Sequence, residues 1–321
     1  MHAWLDHPSI LAHYGSRGLL AGQSWREWVK SHFDGPAQRI LELGCGSGSL
    51  SLELFRLGST RDVEGMDASA ERVQEAEKRR VAAGVPGGFR VEDVNRLTLT
   101  PERYDLIVSS HSFHHFLDLE HVMGQVAKAL TPRGLFILEE FVGPTQFQWT
   151  DAQIDITRSL MALIPEQYRM LRWPVVKGRV LRSVVRGRVL RKVIRTLVPR
   201  FVKDELKGYI QAVSPESFVG AVKPYEGRPT VAEVVAASPF ESIRSAEIVP
   251  LFERHFRVLH RRNLGGTIQH LLYNGIIHNF PSGKPEAEAI LRGIYEAEDA
   301  LIDSGLLPSD FQLLVGGGLL A

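Results

Sequence analysis

The chain has 321 residues, 44% hydrophobic and 23% charged, with 38 Lys and Arg against 37 Asp and Glu for a formal net charge of +1. These values suit a globular protein with a sizeable core. They exclude disordered, fibrous and membrane-spanning classes, and near neutrality gives no global pull toward polyanions. A single cysteine, Cys45, excludes an intrachain disulfide, and MHAWLDHPSILAHYG lacks a basic segment leading an apolar one, so a cytoplasmic protein is expected.

Residues 1–35 read as a helical cover, after which strand and helix patterns alternate. RILELG (39–44) is a buried strand, a glycine-rich turn follows, and SLSLELFRLG is a helix. DVEGMD ends a second strand, and ASAERVQEAEKRRVAAG is a helix closing on Gly84. GFRVEDV and YDLIVSS are the third and fourth strands, LEHVMGQVAKALTPRG a helix stopped by Pro132 and Gly134, and LFILEEF the fifth strand. Repeated βα units over 36–143 predict an α/β fold, a doubly wound parallel sheet with helices on both faces.

The rhythm changes after Phe141. Residues 144–240 read as a mostly helical, basic insertion, opening with GPTQFQWTDAQIDITRSLMALIPEQYR. GRVLRSVVR from Gly178 recurs at Gly187 as GRVLRKVIR. Within one copy Val180, Leu181, Val184 and Val185 share a helical face opposite Arg179, Arg182 and Arg186. At about 100° per residue an offset of nine advances the face by roughly 900°, half a turn out of phase, which suits a bent helical pair better than a helix lying on a membrane. The expectation is a lid over 172–207 whose arginines meet an anionic part of a ligand, against a solvated face or a nucleic-acid arm. Residues 241–321 complete the sheet: FESIRSAEIVPLFERHF is a helix, FRVLHRRNL a strand, TIQHLLYNGIIHNF helical in spacing, the stretch from Pro285 a long acidic helix, and DFQLLVGG the last strand.

Chemistry concentrates in LELGCGSGSL, where Gly44, Gly46 and Gly48 follow an apolar strand and precede a helix, so the backbone can approach a ligand. Asp67 ends the second strand, where a carboxylate can accept from both ribose hydroxyls of a nucleoside, and Asp93, after the third, can meet an adenine amino group. In order and spacing, ILELGCGSGSL, GMDAS, VEDVNRL, YDLIVSSHSFHHF and ALTPRGLFILEEF closely resemble the motifs of class I S-adenosylmethionine-dependent methyltransferases. EEFVGPTQFQWTD, ESIRSAEI and GGTIQHLLYNGIIHNF also resemble a bacterial subgroup of largely unassigned substrate.

The resemblance implies a Rossmann-like seven-stranded sheet with an antiparallel last strand, helical additions after strand five and before the last strand, and S-adenosylmethionine as cofactor. It implies that Glu42 helps hold the methionine amino end, that the backbone of Gly44, Cys45 and Gly46 lines the cofactor, and that Asp67 with Ala68 binds the ribose. Asp93 and Val94 would read adenine, and Ser110 and His111 would sit beside the methionine moiety and the methyl. Cys45 needs no catalytic role, and no metal is expected.

Methyl transfer needs a nucleophile positioned in line and, for oxygen, a base for its proton. His111 after strand four, Glu140 ending strand five and His270 in the late addition are the catalytic candidates. Successive strand residues face opposite ways, so only one of Glu139 and Glu140 should reach the cleft. His114 and His115 read as caps or packing, and Tyr273, three residues from His270, as core. The expected function is methylation of a small or medium-sized acceptor at oxygen. The rivals are a nucleic-acid methyltransferase and a non-catalytic cofactor-binding protein. SSHSF lacks the Asn/Asp-Pro-Pro-aromatic turn of amino-methylating nucleic-acid enzymes, so nucleic acid is disfavoured. Nothing in the sequence sets the oligomeric state, a homodimer included.

Overall fold

The structure is a computed structural model that describes residues 4–171, 222–223 and 227–318. The tandem basic copies at 178–195, and the lid expected over 172–207, lie outside the described residues.

Seven strands, β1 (Ile40–Leu43), β2 (Val63–Asp67), β3 (Gly87–Val91), β4 (Tyr104–Ser110), β5 (Leu130–Phe141), β6 (Arg257–Gly265) and β7 (Phe311–Gly317), form one sheet in the order β3-β2-β1-β4-β5-β7-β6. The first five pair in parallel, and β7 runs antiparallel between β5 and β6. β1 is buried at every residue, as is β5 from Gly134 onward, because both faces of a central parallel strand are covered. The expected seven-stranded sheet with additions after strand five and before the last strand is therefore present.

Helices α3 (Ser49–Arg56), α4 (Ala70–Ala82) and α5 (Leu119–Ala129) join the parallel strands. Ser69 and Asp118 cap α4 and α5 by accepting backbone N–H groups. The helix read through to Gly134 ends instead at Ala129, and Leu130 already pairs with Tyr104. Pro132 pushes its predecessor out of the helical region and has no N–H to donate, so the chain turns extended before the proline is reached.

Two helices, α1 (Pro8–Arg17) and α2 (Trp25–Phe33), precede the sheet and bury Trp4, Ile10, Tyr14, Trp25 and Val29. After β5, Thr150 caps α6 (Asp151–Leu163) in a reciprocal box with Gln153. A short α7 (Val231–Ala237) and α8 (Ile248–His255) lead into β6. The helix read from Phe240 begins only at Ile248, after a 3₁₀ turn over Ser245–Glu247. The apolar run after β6 is shorter in helix than its spacing predicts. α9 (Gln269–Tyr273) stops before Asn274-Gly275, where Gly275 has φ 82°, and only a 3₁₀ turn at Ile277–Asn279 follows. α10 (Pro285–Asp303) buries Ala287, Leu291, Ile294, Glu298 and Ile302, one stripe at helical spacing. Among the described residues no helix is long and apolar enough to cross a membrane.

Two buried carboxyls hold the C-terminal part against the sheet. Glu298 accepts from the backbone N–H groups of Gly266 (2.9 Å), Ile268 (2.5 Å) and Gln269 (3.0 Å), fixing the turn into α9. Asp310, directly before β7, accepts from Trp149 Nε1 (2.8 Å) and Gln153 Nε2 (3.2 Å), while its carbonyl accepts from Val142 N (2.7 Å). Removing the Glu298 acceptor strands several buried donors, so Glu298→Ala is expected to lower the unfolding free energy by about 3–5 kcal/mol in urea titrations. Burial pushes the Asp310 carboxyl up to about 7 from an unfolded value of 3.8. A raised folded value means that its contribution is complete below 3.8 and is lost as pH rises through about 7. Denaturation at pH 5 and pH 8 should therefore show a smaller pH-dependent decline in Asp310→Asn than in the parent.

Candidate active site

The sheet order reverses between β1 and β4, and ligands of open α/β sheets bind outside the strand carboxyl ends at such a switch point. The loop leaving β1 is held close. A Cβ on Gly44 (φ 70°) would run into the Ser112 side chain. At Gly46 (φ 52°) a Cβ would meet nothing within 4 Å, so the backbone there faces open space. Gly46 N donates to Asp67 Oδ2 (2.9 Å), Ser69 N to Asp67 Oδ1 (2.8 Å) and Cys45 N to the Met66 carbonyl (2.9 Å), strapping the loop to the end of β2.

Glu42 is buried with Oε2 on Ser51 N (3.1 Å) and Ser51 Oγ, and burial pushes its carboxyl up to about 7 against those hydrogen bonds. Ala68 is exposed beside Asp67. Asp93 stands at the surface with Oδ1 accepting from Asn95 N (3.0 Å), while Val94 next to it is buried. Cys45 is a buried free thiol whose burial pushes its pKa up, the state of an unreactive cysteine. Ser110 ends β4 opposite Glu139.

His111 follows with φ 50°, a left-handed conformation rare for a residue with a side chain. Its N–H donates to the Glu139 carbonyl (3.0 Å), and its Nδ1 is buried without a hydrogen-bond partner among the described residues. The ring lies 6.3 Å from that of Tyr14 and 5.7 Å from that of Phe311. The Tyr14 hydroxyl and Trp4 Nε1 are likewise buried without hydrogen-bond partners among the described residues, and burial first, then Glu139 and Glu140, keeps the Tyr14 phenol protonated. His270 is buried on α9 among Phe147 (5.2 Å), Trp149 (5.2 Å), Phe141 (5.8 Å) and Phe311 (6.3 Å), the last being the ring that also abuts His111. Tyr273 is fully buried and packs on Phe280 (5.5 Å).

Glu139 and Glu140 leave β5 toward opposite environments. Glu139 accepts from Trp25 Nε1 (2.6 Å) and pairs with Arg26 (3.0 Å). Burial alone would raise its pKa, but Arg26, His111 and Trp25 hold it below the usual carboxylate range. Glu140 is fully buried and accepts from Ser112 N (2.8 Å), Phe113 N (2.6 Å) and Phe141 N (2.7 Å), and its Oε1 also pairs with His114 Nδ1. Such a carboxylate holds a loop; it has no acceptor capacity turned toward a substrate, which differs from the base expected at this position. Sequence reading passed over Tyr14, Trp4 and Ser112. The first two lie in the N-terminal segment, where nothing but helical spacing marked them.

Residues 34–194 match the methyltransferase-domain family Methyltransf_31. The ubiquinone biosynthesis O-methyltransferase of Methylobacterium nodulans is 29% identical over 119 residues, 35% of this chain and 47% of that protein. The malonyl-[acyl-carrier protein] O-methyltransferase of Bacillus cytotoxicus is 32% identical over 119 residues, 37% of this chain and 40% of that protein. Among solved structures, the S-adenosylmethionine dependent methyltransferase of Mesorhizobium loti is 26% identical, with 40% of this chain and 57% of that one covered and a TM-score of 0.32. The chain spans less than half the length of these two curated relatives. With half of its own length matched and the β3-β2-β1-β4-β5-β7-β6 sheet beneath it, the chain belongs to the methyltransferase-domain family, in the class I group whose cofactor is S-adenosylmethionine.

Proposed function

We propose that the protein methylates a hydroxyl of a small, planar or partly aromatic acceptor, using S-adenosylmethionine. The observation that carries this reading is the buried Nδ1 of His111 at the end of β4, without a hydrogen-bond partner among the described residues, beside a glycine loop strapped by Asp67. The residues fit the cofactor: Gly46 leaves the space its backbone faces unfilled, and Asp67 and Asp93 offer carboxylates at successive strand ends for ribose and adenine. Gly44, Cys45, Ala68, Val94 and Ser110 line the same strand ends, with Glu42 behind the loop.

S-adenosylmethionine, when bound, would supply an electrophilic sulfonium methyl for in-line transfer to the acceptor oxygen, with the C–S electron pair left on sulfur. His111, in the tautomer with Nδ1 unprotonated, takes the hydroxyl proton there. The Tyr14 hydroxyl donates a hydrogen bond to the acceptor oxygen, and Phe311 with Phe141 and Trp4 forms the apolar wall. His270 lies behind Phe311 as part of that wall. The O-methyltransferase names of the two relatives agree with an oxygen nucleophile. An anionic acceptor rests on the arginines outside the described residues and is not part of this reading.

Calorimetry with S-adenosylhomocysteine should show Asp67→Ala losing about 1.5–3 kcal/mol of affinity, the worth of hydrogen bonds to a charged acceptor. Unchanged affinity in a folded variant would remove the ribose assignment. For the base, asparagine tolerates the left-handed backbone, so His111→Asn separates chemistry from strain. Across a panel of phenols and hydroxy acids, S-adenosylhomocysteine release should fall about 10²- to 10⁴-fold in His111→Asn with cofactor affinity within a few-fold. Parental turnover in that variant would leave positioning alone as the mechanism.

A further inference from the structure

Beyond the methyl-transfer reading, we propose that His114, His115 and Glu241 form a site for a divalent transition metal of the zinc type. The two histidines lie in the 3₁₀ turn Phe113–His115 after β4, and Glu241 comes from the segment leading to α8, so the site joins parts of the chain 126 residues apart. One ligand atom from each of the three lies within 4.8 Å of the others. His114 Nε2 stands 3.5 Å from Glu241 Oε1. Two ligands each about 2.1 Å from a tetrahedral ion are about 3.4 Å apart, so this spacing suits a metal held between them.

The outer partners make the arrangement more than a cluster. His114 is almost completely buried, and its Nδ1 is engaged by Glu140, a carboxylate itself fixed by the N–H groups of Ser112, Phe113 and Phe141. That hydrogen bond sets the ring so that Nε2 faces Glu241. A carboxylate–histidine pair of this kind is the usual outer support of a metal-bound imidazole. His115 has the second common support, a backbone carbonyl: its Nδ1 is 3.2 Å from the oxygen of Phe240, the residue next to Glu241. The two imidazole rings stand 4.1 Å apart at 44°.

Two imidazoles and one carboxylate favour zinc, copper or nickel over magnesium or calcium, which prefer all-oxygen shells. Among the described residues three side chains supply ligand atoms, and the Glu241 side chain, 22% exposed, opens the site to solvent. A bound ion would cross-link the turn directly after His111 to the segment before α8. It would fix the β4 loop without taking part in methyl transfer.

The test uses the tag-free full chain, stripped with chelator and titrated with Zn²⁺ and, separately, Co²⁺. The expected result is saturable uptake of one ion per chain, with the visible absorption of tetrahedral cobalt. His115→Ala and Glu241→Ala should each weaken uptake at least about 100-fold, and Glu140→Gln, through the outer shell, about 10- to 100-fold. Circular dichroism and urea unfolding of the chelator-stripped protein report whether each variant is folded, independently of the metal. Absence of saturable uptake by the parent, or uptake unchanged in a folded His115→Ala/Glu241→Ala double variant, would overturn the proposal.

Discussion

The loop geometry at the strand ends depends on one carboxylate that never meets water. Glu140 accepts the N–H groups of Ser112 and Phe113, and so fixes the path of the chain as it leaves β4. Ser112 then turns its hydroxyl onto the Leu43 carbonyl (3.0 Å) and Ser109 Oγ (2.9 Å), filling the space that a side chain at position 44 would need. With Gly44 pinned from that side, Gly46 reaches Asp67 on the other. A carboxylate at the end of β5 thus sets the shape of a loop between β1 and α3 through three contacts in series. Burying an ion is costly unless its charge is met by donors, and here backbone N–H groups and the His114 ring meet it. Burial alone would raise the Glu140 pKa, but His114, His111 and the Phe141 N–H hold it below the usual carboxylate range.

The N-terminal helices act on the same region from the opposite face of the sheet. Trp25 and Arg26 of α2 secure Glu139, and Tyr14 of α1 packs its ring 6.0 Å from Phe311, itself within 5.7 Å of His111. Phe311 is the first residue of β7, and Asp310 before it holds Trp149 and Gln153. The site therefore draws side chains from both ends of the chain. Burial of aromatic area supplies the driving force, and the few inward polar atoms supply direction.

Much of this was legible in the sequence. Continuous apolar runs such as RILELG and LFILEEF mark strands buried on both faces, and the stripe Ala287, Leu291, Ile294, Ile302 marks a long helix. The glycine loop with an acid one βα unit later marks the switch point of the sheet, where Gly46 N donates to Asp67. What could not be read was tertiary. Period-two alternation says that Glu139 and Glu140 part company, yet it cannot say which face carries the crevice when both are buried. Glu298 sits in the apolar stripe of α10, and only the turn at 266–269 explains a charge there. Tyr14 and Trp4 reach the strand ends by helix docking, which no local pattern encodes.

The left-handed backbone at His111 follows from the same network. β4 pairs with β5 up to Ser110 opposite Glu139, and one residue later the chain must already present Ser112 and Phe113 N–H groups to Glu140. An extended His111 would carry the chain past that carboxylate, whereas φ 50° turns it back within a single residue. A positive φ on a residue with a Cβ costs about 1–3 kcal/mol, of the same order as the charge-assisted hydrogen bonds that the turn makes with Glu140. The His111 backbone N–H still donates to the Glu139 carbonyl, while the ring lies against Tyr14 and Phe311 with Nδ1 unengaged among the described residues. A glycine would adopt the turn at less cost but would bring no imidazole, and a histidine in ordinary strand geometry would stand perpendicular to the sheet. The turn at His111 is what sets this imidazole against Tyr14 and Phe311, just beyond the carboxyl end of β4.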